Sequence, residues 1–325
     1  MPSSFRYQQR NERGHVLNGK RRQAKAHNSK TAAGNPGGGT AALQARGLVV
    51  SHLGVAVDVE FGDGTRRRAR VARKSGIVVG DEVVIDGERA LMLERRTALL
   101  RRSPGGGVHV VAANLDVLGV VAAVDPPARA GLVDRAAVAA RSAGIEPFLV
   151  INKIDLEGAA DIVVSTSARV AGDMQVFAVS AASGAGTDAL AAFVAERGRG
   201  ALVGPSGVGK SSLLNRLMPG MDLHVRTLSE AHGAGRHTTT VSTLHKLPGG
   251  GELVDTPGIR EFGLVDVLKG DLARFFPGFH VVVEGCRFRD CLHCDEPGCA
   301  IKNAVTAGRV PDARYGAYLN LLAEL

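Results

Sequence analysis

Gly204-Pro205-Ser206-Gly207-Val208-Gly209-Lys210-Ser211 has the spacing G-x-x-x-x-G-K-[ST]. It lies between an apolar strand-like segment, Ala201–Val203, and an amphipathic run from Ser211 to Leu217. A strand feeding a helix through such a loop is a phosphate cradle. The glycines let backbone N–H groups turn inward, and the helix N-terminus adds partial positive charge. Lys210 is placed to reach the outer phosphates. The hydroxyl of Ser211 suits Mg²⁺, which prefers oxygen ligands in octahedral geometry. The nucleotide contacts are assigned to Gly204 through Ser212.

Asp255-Thr256-Pro257-Gly258 begins 51 residues after Gly204 and ends an apolar approach, Leu253-Val254. An Asp at a strand end beside a phosphate loop can hold Mg²⁺ through water, and the Gly258 N–H can sense the outer phosphate. Asn152-Lys153-Ile154-Asp155 follows the apolar segment Phe148–Ile151. N-K-x-D suits guanine. The carboxylate of Asp155 accepts from the ring N1–H and the exocyclic amine, a donor pair adenine lacks. The stem of Lys153 covers the base, and Asn152 tethers neighbouring loops. Ser180-Ala181 ends the next strand, Val176–Val179, where a backbone N–H can meet the guanine carbonyl.

A third cluster is Cys286-x₄-Cys291-x-His293-x₅-Cys299, with Cys294 between. Three thiolates and one imidazole make a closed tetrahedral zinc set, with no position left for a substrate water. Judged by spacing alone, Cys294 competes with His293, because all-thiolate coordination is also common. All four cysteines lie within residues 286–299, too close together to staple a large fold.

Several kinds of element must position these groups. Residues 47–105 read as short strands with glycine turns, including Val55–Phe61, the turn Asp63-Gly64, a basic strand Arg66–Val71 and Val83–Ile85. Such a series predicts a small barrel of the OB type. From 106 to 275 strands alternate with helices: Val117–Val124, helix Leu132–Ala143, Phe148–Ile151, Val176–Val179, helix Asp188–Glu196, Ala201–Val203 and helix Ser211–Leu217. That alternation predicts a parallel sheet covered on both faces. Residues 276–325 carry the cysteines and a helix through Tyr315–Leu325. The expected domains are therefore 1–46, 47–105, 106–275 and 276–325.

The formal net charge of the 325 residues is +8. Residues 1–46 hold nine Lys/Arg against one acid, Glu12, which accounts for all of it. The remaining residues balance at 31 basic and 31 acidic groups. With little apolar surface to offset ordering entropy, the first segment reads as a disordered basic arm. Its uniform sign favours a polyanion, nucleic acid rather than membrane, since no hydrophobic anchor accompanies it. No apolar run is long enough to span a bilayer, and no secretory pattern opens the chain. A cytoplasmic monomer that does not bind membranes is expected.

The phosphate-loop, D-x-x-G, N-K-x-D and S-A motifs are those of a GTPase in rotated order. Usually the phosphate loop comes first; here N-K-x-D and S-A precede it. The fold tolerates this because its ordinary ends finish near each other, with Arg197–Gly200 serving as the joint. At this point the chain resembles the ribosome small subunit-dependent GTPase A family (RsgA/YjeQ) over residues 47–325. Gly235-Arg236-His237-Thr238-Thr239-Thr240 is similar to its first switch, and Asp255 to Leu264 to its second. The resemblance implies an α/β fold: a circularly permuted P-loop GTPase domain between an N-terminal OB-type barrel and a small, mainly helical, zinc-binding C-terminal domain. It implies Mg²⁺-dependent hydrolysis of GTP to GDP and phosphate, stimulated by the small ribosomal subunit. It also implies contacts with that subunit's rRNA during late maturation. It assigns zinc to Cys286, Cys291, His293 and Cys299, and Mg²⁺ to Ser211, Asp255 and Thr239, although spacing alone does not choose among Thr238, Thr239 and Thr240.

Many GTPases place Gln just after D-x-x-G to orient the attacking water. Here Ile259 stands there and cannot hydrogen-bond to it. Slow intrinsic hydrolysis is expected, and the catalytic set is read as Lys210, Thr239 and His237. Two other functions fit parts of the pattern. One is an assembly factor of the large subunit. The other is an RNA-binding factor that uses GTP as a switch with little turnover.

Overall fold

The computed structural model describes residues 45–72, 74–103, 105–170, 172–220, 241–255 and 264–325. The expected disorder of the arm, apart from Ala45 and Arg46, lies outside these residues. So do His237, Thr238, Thr239, Thr240, Gly258 and Ile259.

Five strands form the barrel: β1 (Arg46–His52), β2 (Ala56–Phe61), β3 (Arg66–Arg70), β4 (Glu82–Asp86) and β5 (Arg89–Met92). Their order is β1-β2-β3-β5-β4, and β4 closes back on β1 through Gly47 opposite Val83. Arg46, counted by charge with the arm, begins β1. Alternation along β2 puts Val57 and Val59 into a core with Val49, Ala69, Ile77 and Val83. The basic strand β3 is largely neutralised across the sheet. Arg66 pairs with Glu60 at 2.9 Å and Arg68 with Asp58 at 2.8 Å, while Arg67 donates to Gly87 O.

A bulge at Val50 lets β1 leave the barrel and continue into the rest of the same sheet. Val49 packs in the barrel core, whereas its neighbour Val50 packs in the core beneath the other half of the sheet. Beyond the bulge, Ser51 and His52 pair antiparallel with Thr243 and Ser242 of β12 (Ser242–Lys246).

The rest of this eleven-stranded sheet comprises β8 (Val117–Ala123), β9 (Glu146–Asn152), β10 (Val176–Ala178), β11 (Arg199–Val203), β12 and β13 (Glu252–Asp255), in the order β10-β9-β8-β11-β13-β12. All neighbours are parallel except β12 with β13. Every residue of β8 is buried, as expected for a parallel strand covered on both faces. Gly119 must lack a side chain there, because a Cβ would stand 2.5 Å from the Phe148 ring and 2.6 Å from Leu202. One face is covered by α1 (Leu132–Ser142) and α2 (Ala159–Val170), the other by α3 (Thr187–Arg197) and α4 (Lys210–Leu217). A two-stranded hairpin, β6 (Ala98–Arg102) with β7 (Val108–Ala113), precedes β8, so the 105/106 division falls in its turn.

The chain winds outward from β8 to β9 and β10, then returns to β11, passes to β12 on the other side and comes back through β13 between them. The crevice at the C-terminal ends of β8 and β11 is thus a topological switch point, where open α/β sheets bind ligands. The joint that permits the rotated order is a single residue, Gly198, between α3 and β11. Its φ of +110° and the proximity of Asp116, whose carboxylate takes the Arg199 N–H, explain why glycine occupies it.

The C-terminal region contributes α5 (Leu272–Phe275), α6 (Ala300–Thr306) and α7 (Asp312–Glu324) around Phe276, Phe279 and Tyr318, and this core includes Val138 of α1. Arg314 of α7 pairs with Asp134 of α1, both buried, and also donates to Pro277 O. Breaking such a pair from one side leaves a buried charge and costs about 3–5 kcal/mol. Arg314→Met should therefore sharply lower the urea midpoint of the C-terminal region. Asp134→Leu combined with Arg314→Met should recover most of the loss. If the single variant proves as stable as the native chain, the pair does not hold α7 on α1.

Candidate nucleotide site and metal centre

The phosphate loop leaves β11 at Val203 and enters α4 at Lys210, in the switch-point crevice. Gly207 and Gly209 have φ of +86° and +90°, and a Cβ on Gly209 would stand 2.3 Å from Asn152 Nδ2. Among the described residues no side chain caps α4, so its first amides remain available to an anion. The Lys210 ammonium donates to Gly204 O and Pro205 O, each at 2.7 Å, which holds it inside its own loop. Asp255 ends β13, beside β11. Burial pushes its carboxyl upward, and the Lys210 ammonium opposes that shift.

The N-K-x-D residues begin at the last position of β9. Asn152 is buried, donates from Nδ2 to Val208 O at 2.8 Å, and accepts from Ala181 N at 3.1 Å. One side chain thus ties together the phosphate loop, its own loop and the S-A loop. Lys153 has φ of +66° and donates from Nζ to Asp125 O. Asp155 accepts from the Ser180 hydroxyl, which itself accepts from Ser183 N at 3.1 Å. The structure therefore brings Asn152 against the loop 204–211 and ties Ala181 to Asn152, while Ser180 is held by Asp155. Arg216, on α4, also reaches the S-A loop, and no motif in the sequence marked it.

These positions decide which permuted fold is present. A family model described as RsgA GTPase matches residues 92–265. Small ribosomal subunit biogenesis GTPase RsgA of Azotobacter vinelandii is 43% identical over 305 residues, covering 89% of this chain and 88% of the relative. The protein of the same name from Pseudomonas aeruginosa strain LESB58 is 40% identical over the same shares. The chain belongs to the RsgA GTPase family. This RsgA-family chain also superposes on the crystal structure of YjeQ from Thermotoga maritima with a TM-score of 0.69 and 31% identity, covering 86% of this chain and 98% of that one. YloQ, a circularly permuted GTPase, gives a TM-score of 0.62 at 23% identity and supports the fold alone. The chain is thus a GTP hydrolase by family, with the rotated motif order seen in its sheet.

Away from the nucleotide crevice, the ligand atoms of Cys286, Cys291, His293 and Cys299 lie within 4.8 Å of one another. His293 Nδ1 stands 3.5 Å from Cys286 Sγ and 3.4 Å from Cys299 Sγ. Bonds of ~2.3 Å to sulfur and ~2.0 Å to nitrogen at the tetrahedral angle place S and N ligands about 3.5 Å apart. The set therefore fits a zinc-sized ion. Cys294 is not part of it, and its Sγ donates toward Leu292 O at 3.6 Å. Backbone N–H groups of Ala300 and Lys302 point at Cys286 Sγ and Cys299 Sγ, at 3.3 and 3.5 Å, which fixes the two sulfurs in place. The Glu296 carboxylate accepts from Leu292 N, Cys294 N and Asp295 N and fixes the loop between the ligands. Tyr315 and Tyr318 donate to His293 O and Leu292 O and bind that loop to α7.

Proposed function

We propose that this GTPase acts on the small ribosomal subunit during its late maturation, with GTP favouring the bound state and hydrolysis favouring release. The supporting observation is that similarity to proteins named small ribosomal subunit biogenesis GTPase covers 89% of the chain, well beyond the GTPase motifs alone. In this proposal the arm, the barrel and the metal-binding region each make weak contacts with rRNA that sum by multivalency. The residues 106–275 carry fifteen basic and seventeen acidic groups, so they do not grip RNA by bulk charge. Nucleotide state can then decide binding. The chain acts as a monomer in the cytoplasm.

Within the nucleotide site, the amides of Gly204 to Ser212 bind the phosphates, and Lys210 neutralises the outer ones. Asn152 orients the three loops, Asp155 reads the guanine edge, and Lys153 covers its face. Ser211, Thr239 and Asp255 would hold Mg²⁺, which supplies charge neutralisation between the outer phosphates. Because Ile259 cannot orient water, His237 is the residue of this chain proposed to do so, completed by the ribosomal partner. Cys286, Cys291, His293 and Cys299 would hold one structural zinc.

The test is co-sedimentation with isolated subunits, using a non-hydrolysable GTP analogue against GDP. Small subunits should retain the chain at least about fivefold more tightly with the analogue, a typical coupling between two sites. Removing residues 1–46 should lower both affinity and salt dependence, since fewer counterions are released. Equal retention with both nucleotides, or preferential retention by large subunits, would refute the proposal.

A further inference from the structure

Arg216 lies on the exposed side of α4, six residues beyond Lys210. Its guanidinium leaves the helix and caps the S-A loop. Nε donates to Ala181 O at 3.1 Å, and a terminal nitrogen donates to Ala182 O. The group also covers Gly184, where φ is +89° and an added Cβ would stand 3.5 Å from the guanidinium carbon. The other side of the loop is fixed separately, by Ala181 N on Asn152 Oδ1 and Ser183 N on Ser180 Oγ.

In a trans peptide the carbonyl and the following N–H point in opposite directions. Holding Ala181 O against Arg216 therefore turns the Ala182 N–H away from α4. Guanidinium is suited to this task because its planar fork meets two acceptors at once. A cation on the C-terminal turn of α4 also complements the helix dipole.

We infer that Arg216 is a positioning residue for base recognition: it locks the S-A loop to the phosphate-loop helix so that a loop N–H meets the 6-oxo group of guanine. Asn152 and Arg216 then clamp the loop from two directions, and both anchor it to the element that holds the phosphates. The inference rests on the base-reading role proposed for Asp155 and the S-A loop.

The experiment measures equilibrium binding of three diphosphates to the full chain: GDP, inosine diphosphate, and 2-aminopurine riboside diphosphate, which lacks the 6-oxo group. Arg216→Ala should weaken GDP and inosine diphosphate by the same factor, about threefold to tenfold, the worth of one hydrogen bond. The 2-aminopurine analogue should lose nothing, because it has no carbonyl to lose. Arg216→Lys, which keeps the charge but places its donors on one nitrogen, should restore part of the affinity. Unchanged GDP binding by Arg216→Ala would overturn the inference. So would an equal loss for the 2-aminopurine analogue, which would place the effect at the phosphates. Asp155→Asn provides the separate check on base reading. It should narrow the gap between GDP and inosine diphosphate, which differ only in the 2-amino group. If that gap stays unchanged, the base-reading assignment fails whatever Arg216 does.

Discussion

Lys210→Ala should weaken GTP binding by at least about a hundredfold, the scale of two or more charge-assisted hydrogen bonds to phosphate. The ammonium is already gathered inside the loop by Gly204 O and Pro205 O, so it needs no rearrangement to meet an anion there. Loss of the charge has a second consequence. Burial raises the Asp255 carboxyl and Lys210 holds it down, so removing Lys210 lets Asp255 protonate at higher pH. A protonated Asp255 is a poor Mg²⁺ partner. The residual binding of the variant should therefore fall off on acidification before that of the native chain. Titration with a fluescent GTP analogue across pH measures both effects. Native-like affinity in the variant would contradict the phosphate-loop assignment.

Removing the metal should unfold the last forty residues. Structural zinc contributes about 10–16 kcal/mol of apparent binding free energy in small domains, and that free energy is available to folding. Here the ligand loop is bound to α7 through the Tyr315 and Tyr318 hydroxyls. The α7 helix in turn holds α1 through Arg314 and Arg135–Glu324. Burial, reinforced by the neighbouring Cys299 and Cys286 thiols, pushes the Cys291 thiol up to about 12, so zinc must expel its proton and binds more tightly as pH rises. Metal analysis should find one zinc per chain. Cys291→Ser should lose it and expose α6 and α7 to hydrogen exchange. Cys294→Ser should keep it, because that sulfur faces Leu292 O. Loss of zinc from the Cys294 variant alone would exchange the roles of Cys294 and His293.

The chemistry was most legible where one short segment carries it whole. The loop 204–211 and the run Val117–Ala123 declare a phosphate cradle and a doubly covered strand by composition alone. The helix α2 was not legible, because Ile162, Val163, Val164 and Thr166 are β-branched and read against helix; tertiary packing of Val170 and its neighbours overrides that preference. The union of barrel and sheet depends on Ser51 meeting Thr243, a pairing across almost two hundred residues that no local pattern encodes. Arg216 was hidden for a similar reason. A lone arginine late in a helix looks like a solvated charge until the fold brings Ala181 and Ala182 beneath it. In the metal loop, spacing left Cys294 and His293 in competition, and only the fold shows His293 Nδ1 turned toward Cys286 and Cys299 while Cys294 faces Leu292 O.

In the proposed function, the small subunit completes a hydrolytic site that this chain leaves unfinished at Ile259. Single-turnover GTP hydrolysis, measured with no ribosomal particle, with small subunits and with large subunits, tests it most directly. Hydrolysis should be slow for the chain alone, at least about tenfold faster with small subunits, and no faster with large ones. A rate unchanged by small subunits, or raised by large subunits instead, would contradict it.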